Sequence, residues 1–350
     1  MTTITRAIRL PRTVLQTRAV VGRAVAIVLV AAIAVWLIFN LWHSPTQFFQ
    51  AAVIGLGNGT LYALIALGYT LVYGIIELIN FAHGDLFMLG TLFSGTLLTT
   101  WLGLKSSNLS GWGGFLLTLV AAMLFCALIN VAIEFFAYRR LRRAPKLAPL
   151  ITAVGMSFIL QQVGLLWNGS KQRNDWYSVL PTGNLNVAGV HIDYDIMIVA
   201  VVTVVLLLVM TWVVTRTKAG KAMRATAQDQ DAARLMGINV NLTISFTFAV
   251  GGALAGAAGL MYQQIQTSTR YDLGFEMGLI AFTAAVLGGI GNLTGAVLGG
   301  VLIGLIQGLN DGLPYGLGQK WSQSVVFTVL ILVLVFRPTG LLGQSVGEKV

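Results

Sequence analysis

Long apolar runs recur along this chain, and nearly every charged residue falls between them. A stretch of about 20 apolar residues is what a helix needs to cross the hydrocarbon core of a bilayer. The runs divide the chain into ten segments, at about 24–42, 51–73, 86–104, 113–136, 148–167, 192–214, 242–262, 277–290, 295–309 and 321–336. The pattern predicts an all-α, polytopic helical membrane protein with about ten membrane segments. A membrane β-barrel would alternate apolar and polar residues over strands of about ten, whereas these runs are continuous. Only 10% of the residues are charged and 56% are hydrophobic, against roughly 25% charged in soluble domains. No loop is long enough to hold a separate soluble domain.

The net charge of +10 would suit a nucleic-acid binder if the basic residues formed one surface. They follow topology instead. Arg6, Arg9, Arg12, Arg18 and Arg23 precede the first run, and Arg139, Arg140, Arg142, Arg143 and Lys146 follow the fourth. Arg216, Lys218, Lys221, Arg224 and Arg234 follow the sixth, and Arg337 and Lys349 follow the last. Only Lys105, Lys171, Arg173, Arg270 and Lys320 lie on the other side. By the positive-inside rule both termini are cytoplasmic, and no nucleic-acid partner is expected. Six tryptophans, Trp42, Trp101, Trp112, Trp167, Trp176 and Trp321, fall at or beyond the outer ends, as an interfacial belt would. The first run is too long for a signal-peptide core and no clear small-residue cleavage site follows it, so it reads as an uncleaved anchor. The external loop 168–191 is rich in Gly, Pro and Asn, which suggests turns or a short hairpin. The runs at 277–290 and 295–309 are short for spans and are either tilted helices or a re-entrant hairpin.

Residues 218–241, KAGKAMRATAQDQDAARLMGINVN, form the longest polar run between two apolar segments. Alanines at 219, 222, 225, 227, 232 and 233 favour a helix, and Gly237 supplies its stop. A short charged helix between two spans is suited to docking outside the bilayer, where a soluble motor can pull on it; the plain alternative is a solvated loop. Elsewhere, small residues recur every fourth position at Gly291, Gly295 and Gly299, at Gly300, Gly304 and Gly308, at Gly251, Ala255 and Gly259, and at Gly55 and Gly59. That spacing lets helix backbones approach closely in lipid. Gly55, Gly57 and Gly59 superficially resemble a phosphate-binding turn, but no strand precedes them and no Gly-Lys-Ser/Thr follows.

Charges inside the bilayer usually mark ion coupling. Here Glu77 and Asp85 fall in the GIIELINFAHGD turn, and Glu134 precedes a basic cluster with which it is expected to pair. His83 is expected to make a structural hydrogen bond at a helix end. No metal-ligand spacing, Ser/His/Asp grouping or Walker-type ATP motif occurs. The single cysteine, Cys126, excludes an internal disulfide.

Taken together, NGTLYALIALGYTLVYGIIELINFAHGDLFMLG, AYRRLRRAPKLAPLITAVGMSFILQQ, RATAQDQDAARLMGINV, LIAFTAAVLGGIGNLTGAVLGG and VFRPTGLLG resemble the permeases of branched-chain amino acid ABC importers, of the LivH type. The resemblance covers roughly residues 48–343. It implies a permease domain there, flanked by a basic cytoplasmic tail with an extra anchor helix (1–47) and a short cytoplasmic tail (344–350). It implies a non-enzymatic subunit of a bacterial inner membrane, without cofactor of its own, paired with a LivM-like permease. Two cytoplasmic ATPases would use ATP and magnesium, and an extracytoplasmic binding protein would deliver leucine, isoleucine, valine or a related solute. Arg224, Asp229, Ala232, Ala233, Leu235, Met236 and Gly237 then lie on the family's coupling motif. The chain departs from the family in its N-terminal forty residues and in having Arg140 where proline is common. Helix breaks at Asn80, Gly288, Gly289, Gly291, Asn292 and Thr294 are candidates for the substrate path, since broken helices free backbone groups for a carboxylate and an ammonium. The alternatives are a single-component secondary transporter or channel for a small polar solute, an ABC permease for urea or amides, or, more remotely, an intramembrane enzyme.

Overall fold

The computed structural model describes residues 27–28, 31–77, 80–104, 109–142, 144–145 and 147–343. The arginines of the N-terminal tail, Lys105, Arg143, Lys146 and Lys349 lie outside the described residues, as do the end segments 1–26 and 344–350. Among the described residues the fold is all-α apart from one hairpin. In chain order the helices are α1 (Ala31–His43), α2 (Pro45–Ile76), α3 (Ala82–Gly95), α4 (Leu109–Ile133), α5 (Leu147–Asn168) and α6 (Tyr194–Arg216). They continue with α7 (Lys218–Gln228), α8 (Gln230–Leu235), α9 (Val240–Gln266), α10 (Leu273–Gly288), α11 (Leu293–Gly312) and α12 (Ser322–Phe336). Among the described residues seven helical stretches are long and apolar enough to cross a membrane: those of α2, α4, α5, α6, α9, α11 and α12. The chain is a multi-pass membrane protein.

α2 occupies the centre and α9 lies beside it, both enclosed by their neighbours, while α6 and α12 are mostly exposed at the periphery. Glycines set these approaches. Gly300, Gly304 and Gly308 of α11 meet the backbone of Ala63, Gly59 and Gly55–Ala51 on α2. Gly295 and Gly299 turn to the other side of α11, against Gly288 and Ala284 of α10. Gly291 is not part of this packing. It stands ahead of α11 with φ 92°, and nothing lies within 4 Å of where its Cβ would be. Of the third stripe, Gly251 faces α2 and Gly259 rests on the backbone of Phe87–Thr91 in α3, while Gly252 and Gly256 seat α9 on α4. Backbones this close gain dispersion contact without ordering any side chain. Gly55, Gly57 and Gly59 therefore serve helix packing inside α2 and form no turn.

Two ends are distinguishable. One carries Arg139, Arg142, α7 and α8; we refer to it as the basic end. There Glu134, fully buried, is bridged by Arg139 at 3.0 Å and by Arg142, and accepts a hydrogen bond from Ser245 Oγ at 2.7 Å. The expected ion pair is thus present and ties the end of α4 to α9. The opposite end carries the hairpin, Asn184–Val187 paired antiparallel with Val190–Asp193. Its two-residue turn, Ala188 and Gly189, has φ of 52° and 84°, the left-handed pair that tight hairpins use.

Asp85 does not lie in a loop. It is in the first turn of α3 and fully buried, and Ser157 of α5 donates to its Oδ2 at 2.5 Å. His83 is also fully buried, edge-on to Tyr69 with ring centroids 4.8 Å apart, and neither ring nitrogen has a hydrogen bond of normal geometry. Trp176 departs from the interfacial belt: it is 3% exposed and packed inside the bundle.

Candidate coupling element and cleft

The polar stretch after α6 folds as two helices, not one. Thr217 begins the first. Its Oγ1 accepts from Gly220 N at 3.1 Å, satisfying one of the open N–H groups at the helix start. Gly220 is required at that corner, because a Cβ there would collide with the carbonyls of Val213 and Val214. Arg224 donates to the carbonyl of Val214, so its guanidinium is turned back onto the end of α6. Met223 and Thr226 point inward.

The break comes at Asp229, whose backbone is extended at φ −156° and ψ 114°. Its Oδ1 accepts from Asp231 N at 2.8 Å and Ala232 N at 3.0 Å and so caps α8. A charged residue in a helical pattern reads as a surface contact, but Asp is also a preferred N-cap, and here the cap is formed. The single helix expected from the alanine pattern is therefore jointed. Ala233 points inward and is buried, whereas Ala232, Leu235, Met236 and Gly237 are exposed. Leu235 and Met236 are 89% and 82% exposed, two large apolar side chains at the tip of the basic end. Gly237 closes α8 at φ 80°, with its N–H to Arg234 O at 3.0 Å and Ile238 N to Ala233 O at 3.0 Å. This is the left-handed glycine stop that the sequence predicts.

Beside this element an open cleft of about 770 Å³ enters the bundle from the basic end. Tyr73, Gly74 and Glu77 of α2, Thr211 and Thr215 of α6, and Ala227 and Gln228 of α7 line it, together with Ile290–Thr294. Of the sequence-predicted path residues, Gly291, Asn292 and Thr294 share this wall. Asn80 does not; it is buried and accepts from Tyr138 Oη at 2.8 Å. Gly288 and Gly289 are also not free for a solute. Leu341 N bonds Leu287 O at 2.8 Å and Leu342 N bonds Gly288 O at 3.0 Å, while Gly289 is pressed against Gly340 and Gly343. Asn292 spends its side chain capping α11 at Gly295 N, 3.0 Å, and holding Leu342 O, 2.8 Å. The helix break is thus closed by the chain's own C-terminal segment. What sequence reasoning missed is the buried Asp85–Ser157 pair, whose signal was Ser157 and Gln161 one turn apart on α5, with Gln161 Nε2 donating to Ser157 Oγ at 3.3 Å.

Comparison with known proteins agrees with this architecture. Residues 51–335 match the family described as the permease component of branched-chain amino acid transport systems. The chain is 40% identical over 314 residues to the high-affinity branched-chain amino acid transport system permease protein BraD of Pseudomonas aeruginosa, covering 87% of this chain and 98% of that protein. It is 36% identical over 311 residues to the LivH permease of Escherichia coli K12, covering 87% and 98% respectively. A more distant similarity, 26% over 150 residues, covers 43% of this chain and 42% of the autoinducer 2 import permease LsrC of an Enterobacter strain.

Proposed function

The chain belongs to the family of permease components of branched-chain amino acid transport systems, and from that premise we propose that it carries leucine, isoleucine, valine or a closely related amino acid inward as part of an ABC importer. It is a transport subunit of the bacterial inner membrane, not an enzyme. Membership implies an ATPase partner and a substrate-binding protein. The finer composition we propose is one copy of this chain beside a LivM-like permease, two ATPases supplying ATP and magnesium chemistry, and a binding protein on the outer face.

The observation that carries this reading is the pairing of an exposed apolar tip, Leu235 and Met236, with an open cleft at the same end. A motor holding α8 would act directly on α7, which supplies part of the cleft wall. The orientation that suits this places the basic end in the cytoplasm, in keeping with the positive-inside rule. With α1, α3 and α10 added to the seven long helices, ten segments cross and both termini are cytoplasmic. Residues 48–343 then form the permease unit, 1–47 a tail and anchor ahead of it, and 344–350 a cytoplasmic tail.

The test is uptake of labelled leucine into proteoliposomes holding the assembled complex. Uptake is expected to require ATP and the loaded binding protein, and to survive collapse of the proton gradient. Uptake driven by a proton or sodium gradient without ATP would replace this reading with that of a secondary transporter.

A further inference from the structure

α10 ends at Gly288, and the last carbonyls of any helix need partners from outside it. The turn that follows supplies only some of them. Gly289 N bonds Ala285 O at 3.0 Å and Val286 O at 3.2 Å, which leaves Leu287 O and Gly288 O. Those two are taken by Leu341 N at 2.8 Å and Leu342 N at 3.0 Å, from the segment after α12. A strap from far along the chain thus completes the cap that the chain next to α10 does not provide.

Glycines make the fit on both sides. A Cβ on Gly340 would overlap Gly289 and the carbonyl of Val286, and one on Gly289 would overlap Leu342 and Gly343. Asn292 adds a third tie. Its Nδ2 donates to Leu342 O at 2.8 Å while its Oδ1 accepts from Gly295 N at 3.0 Å and caps α11. One side chain therefore joins the strap to the start of α11.

The other side of this corner is open. Residues 290–294 form one wall of the cleft, so the corner has the strap behind it and about 770 Å³ of space in front. Gly289 and Gly291 stand at φ of 108° and 92°, a region that glycine enters without steric cost. No atom lies within 4 Å of where a Gly291 Cβ would be. Glycine pivots, free volume ahead and three hydrogen bonds behind describe a part that can swing. The carbonyls it would release lie at the basic end, where water can replace the strap amides, so release costs only the net value of those bonds.

We infer that residues 340–343 are a latch on the cleft. Seated, they hold the α10–α11 corner back and the cleft open; withdrawn with the end of α12, they free the corner to pivot on Gly289 and Gly291 and narrow the cleft. α12, mostly exposed and leading directly into the strap, is the element that draws it. Asn292 is the positioning residue. Placing this movement in a transport cycle rests on the importer reading above.

The experiment is amide hydrogen exchange over residues 338–343, by mass spectrometry, in nanodiscs holding the full complex. The Leu341 and Leu342 amides should be protected at rest. Trapping with ATP and vanadate, with leucine-loaded binding protein present, should speed their exchange about tenfold or more, the effect of losing a typical hydrogen bond. Asn292→Asp separates the latch from the helix cap. Its carboxylate still accepts from Gly295 N and suits a helix N-terminus, but it has no proton to give Leu342 O. This variant should keep the wild-type melting temperature, exchange about tenfold faster at 341–342 at rest, and hydrolyse ATP faster without binding protein. Asn292→Ser, a cap too short to reach the strap, takes its place if that variant fails to assemble.

Three outcomes overturn the latch. The first is exchange unchanged by trapping in a complex that takes up leucine. The second is no faster exchange at rest in Asn292→Asp. The third is faster exchange there with ATP hydrolysis and uptake both at wild-type levels. Absence of ATP-dependent uptake in the unsubstituted complex would defeat the importer reading instead, and exchange at rest would still decide whether Asn292 holds the strap.

Discussion

Gly304 of α11 lies on Gly59 of α2 so closely that a Cβ on Gly304 would overlap the Gly59 Cα, while one on Gly59 would run into the backbone of Gly300 and Val301. The pair joins the central helix to a segment far along the chain with no side chain between them.

Gly304→Val should therefore separate α2 from α11. Overpacking of this kind costs about 1–3 kcal/mol or more, and the loss should show as reduced yield of assembled complex in detergent. Gly291→Ala is the contrast. Its site is open, and only the left-handed backbone at φ 92° resists a Cβ, a strain of about 1–2 kcal/mol. Equal yields for the two variants would mean the α2–α11 contact is not close.

Removing Glu134 should be costly, because Arg142 is largely buried beside it, with its side chain 14% exposed. Breaking a buried pair by deleting one partner typically costs about 3–5 kcal/mol. Glu134→Ala should lower the melting temperature of the purified protein strongly. The double variant Glu134→Ala with Arg142→Met should recover much of the loss, and failure to recover it would place the damage elsewhere.

At the basic tip, Leu235→Ser and Met236→Ser should leave folding intact and reduce binding-protein-stimulated ATP hydrolysis by the complex. Ala233→Arg would look similar in a transport assay for a different reason: Ala233 is buried, so that variant should unsettle α8 itself. Thermal unfolding separates the two cases. Wild-type stimulation in both serine variants would remove α8 from the coupling contact.

Asp229→Ala should unravel α8, since six residues without a cap have little helical stability of their own. The cap is worth about 0.5–2 kcal/mol, and Asp229→Asn should retain most of it. Amide exchange over residues 230–235 reports the difference. Unchanged protection in the alanine variant would show that packing alone holds the helix.

Orientation is open to direct labelling. A cysteine at Gln172, at the hairpin end, should react from outside intact cells, and one at Gln228, on the cleft wall, only after permeabilisation. The reverse pattern would invert the assignment of both ends.

Much of the architecture was legible in the sequence because it follows from periodicity. The apolar runs give the helices, the four-residue glycine spacing gives the contacts of α11, and Ala188-Gly189 lies in the segment whose composition suggested a hairpin. What was not legible depends on direction. The spacing at Gly291 continues the stripe, yet its backbone has already left the helix. Ala232 and Ala233 are identical on paper, and only packing turns one outward and the other inward. Asp229 looks like a surface charge until the backbone breaks around it. Trp176 has the composition of an interfacial anchor, and nothing local reveals that Gln263 and Gln264 of α9 hold the backbone of its loop inside.

The α2–α11 contact also sets an order of events during synthesis. α2 ends at Ile76 and α11 begins at Leu293. At roughly 5–20 residues per second, the ribosome needs on the order of ten to forty seconds to bridge that gap. For that time the helix destined to be most enclosed waits in the bilayer with its glycine face uncovered. A nascent chain halted before α11 emerges would present a bare, narrow groove to any neighbouring helix, which makes this interval the point at which wrong pairing, or recognition by membrane quality control, would begin.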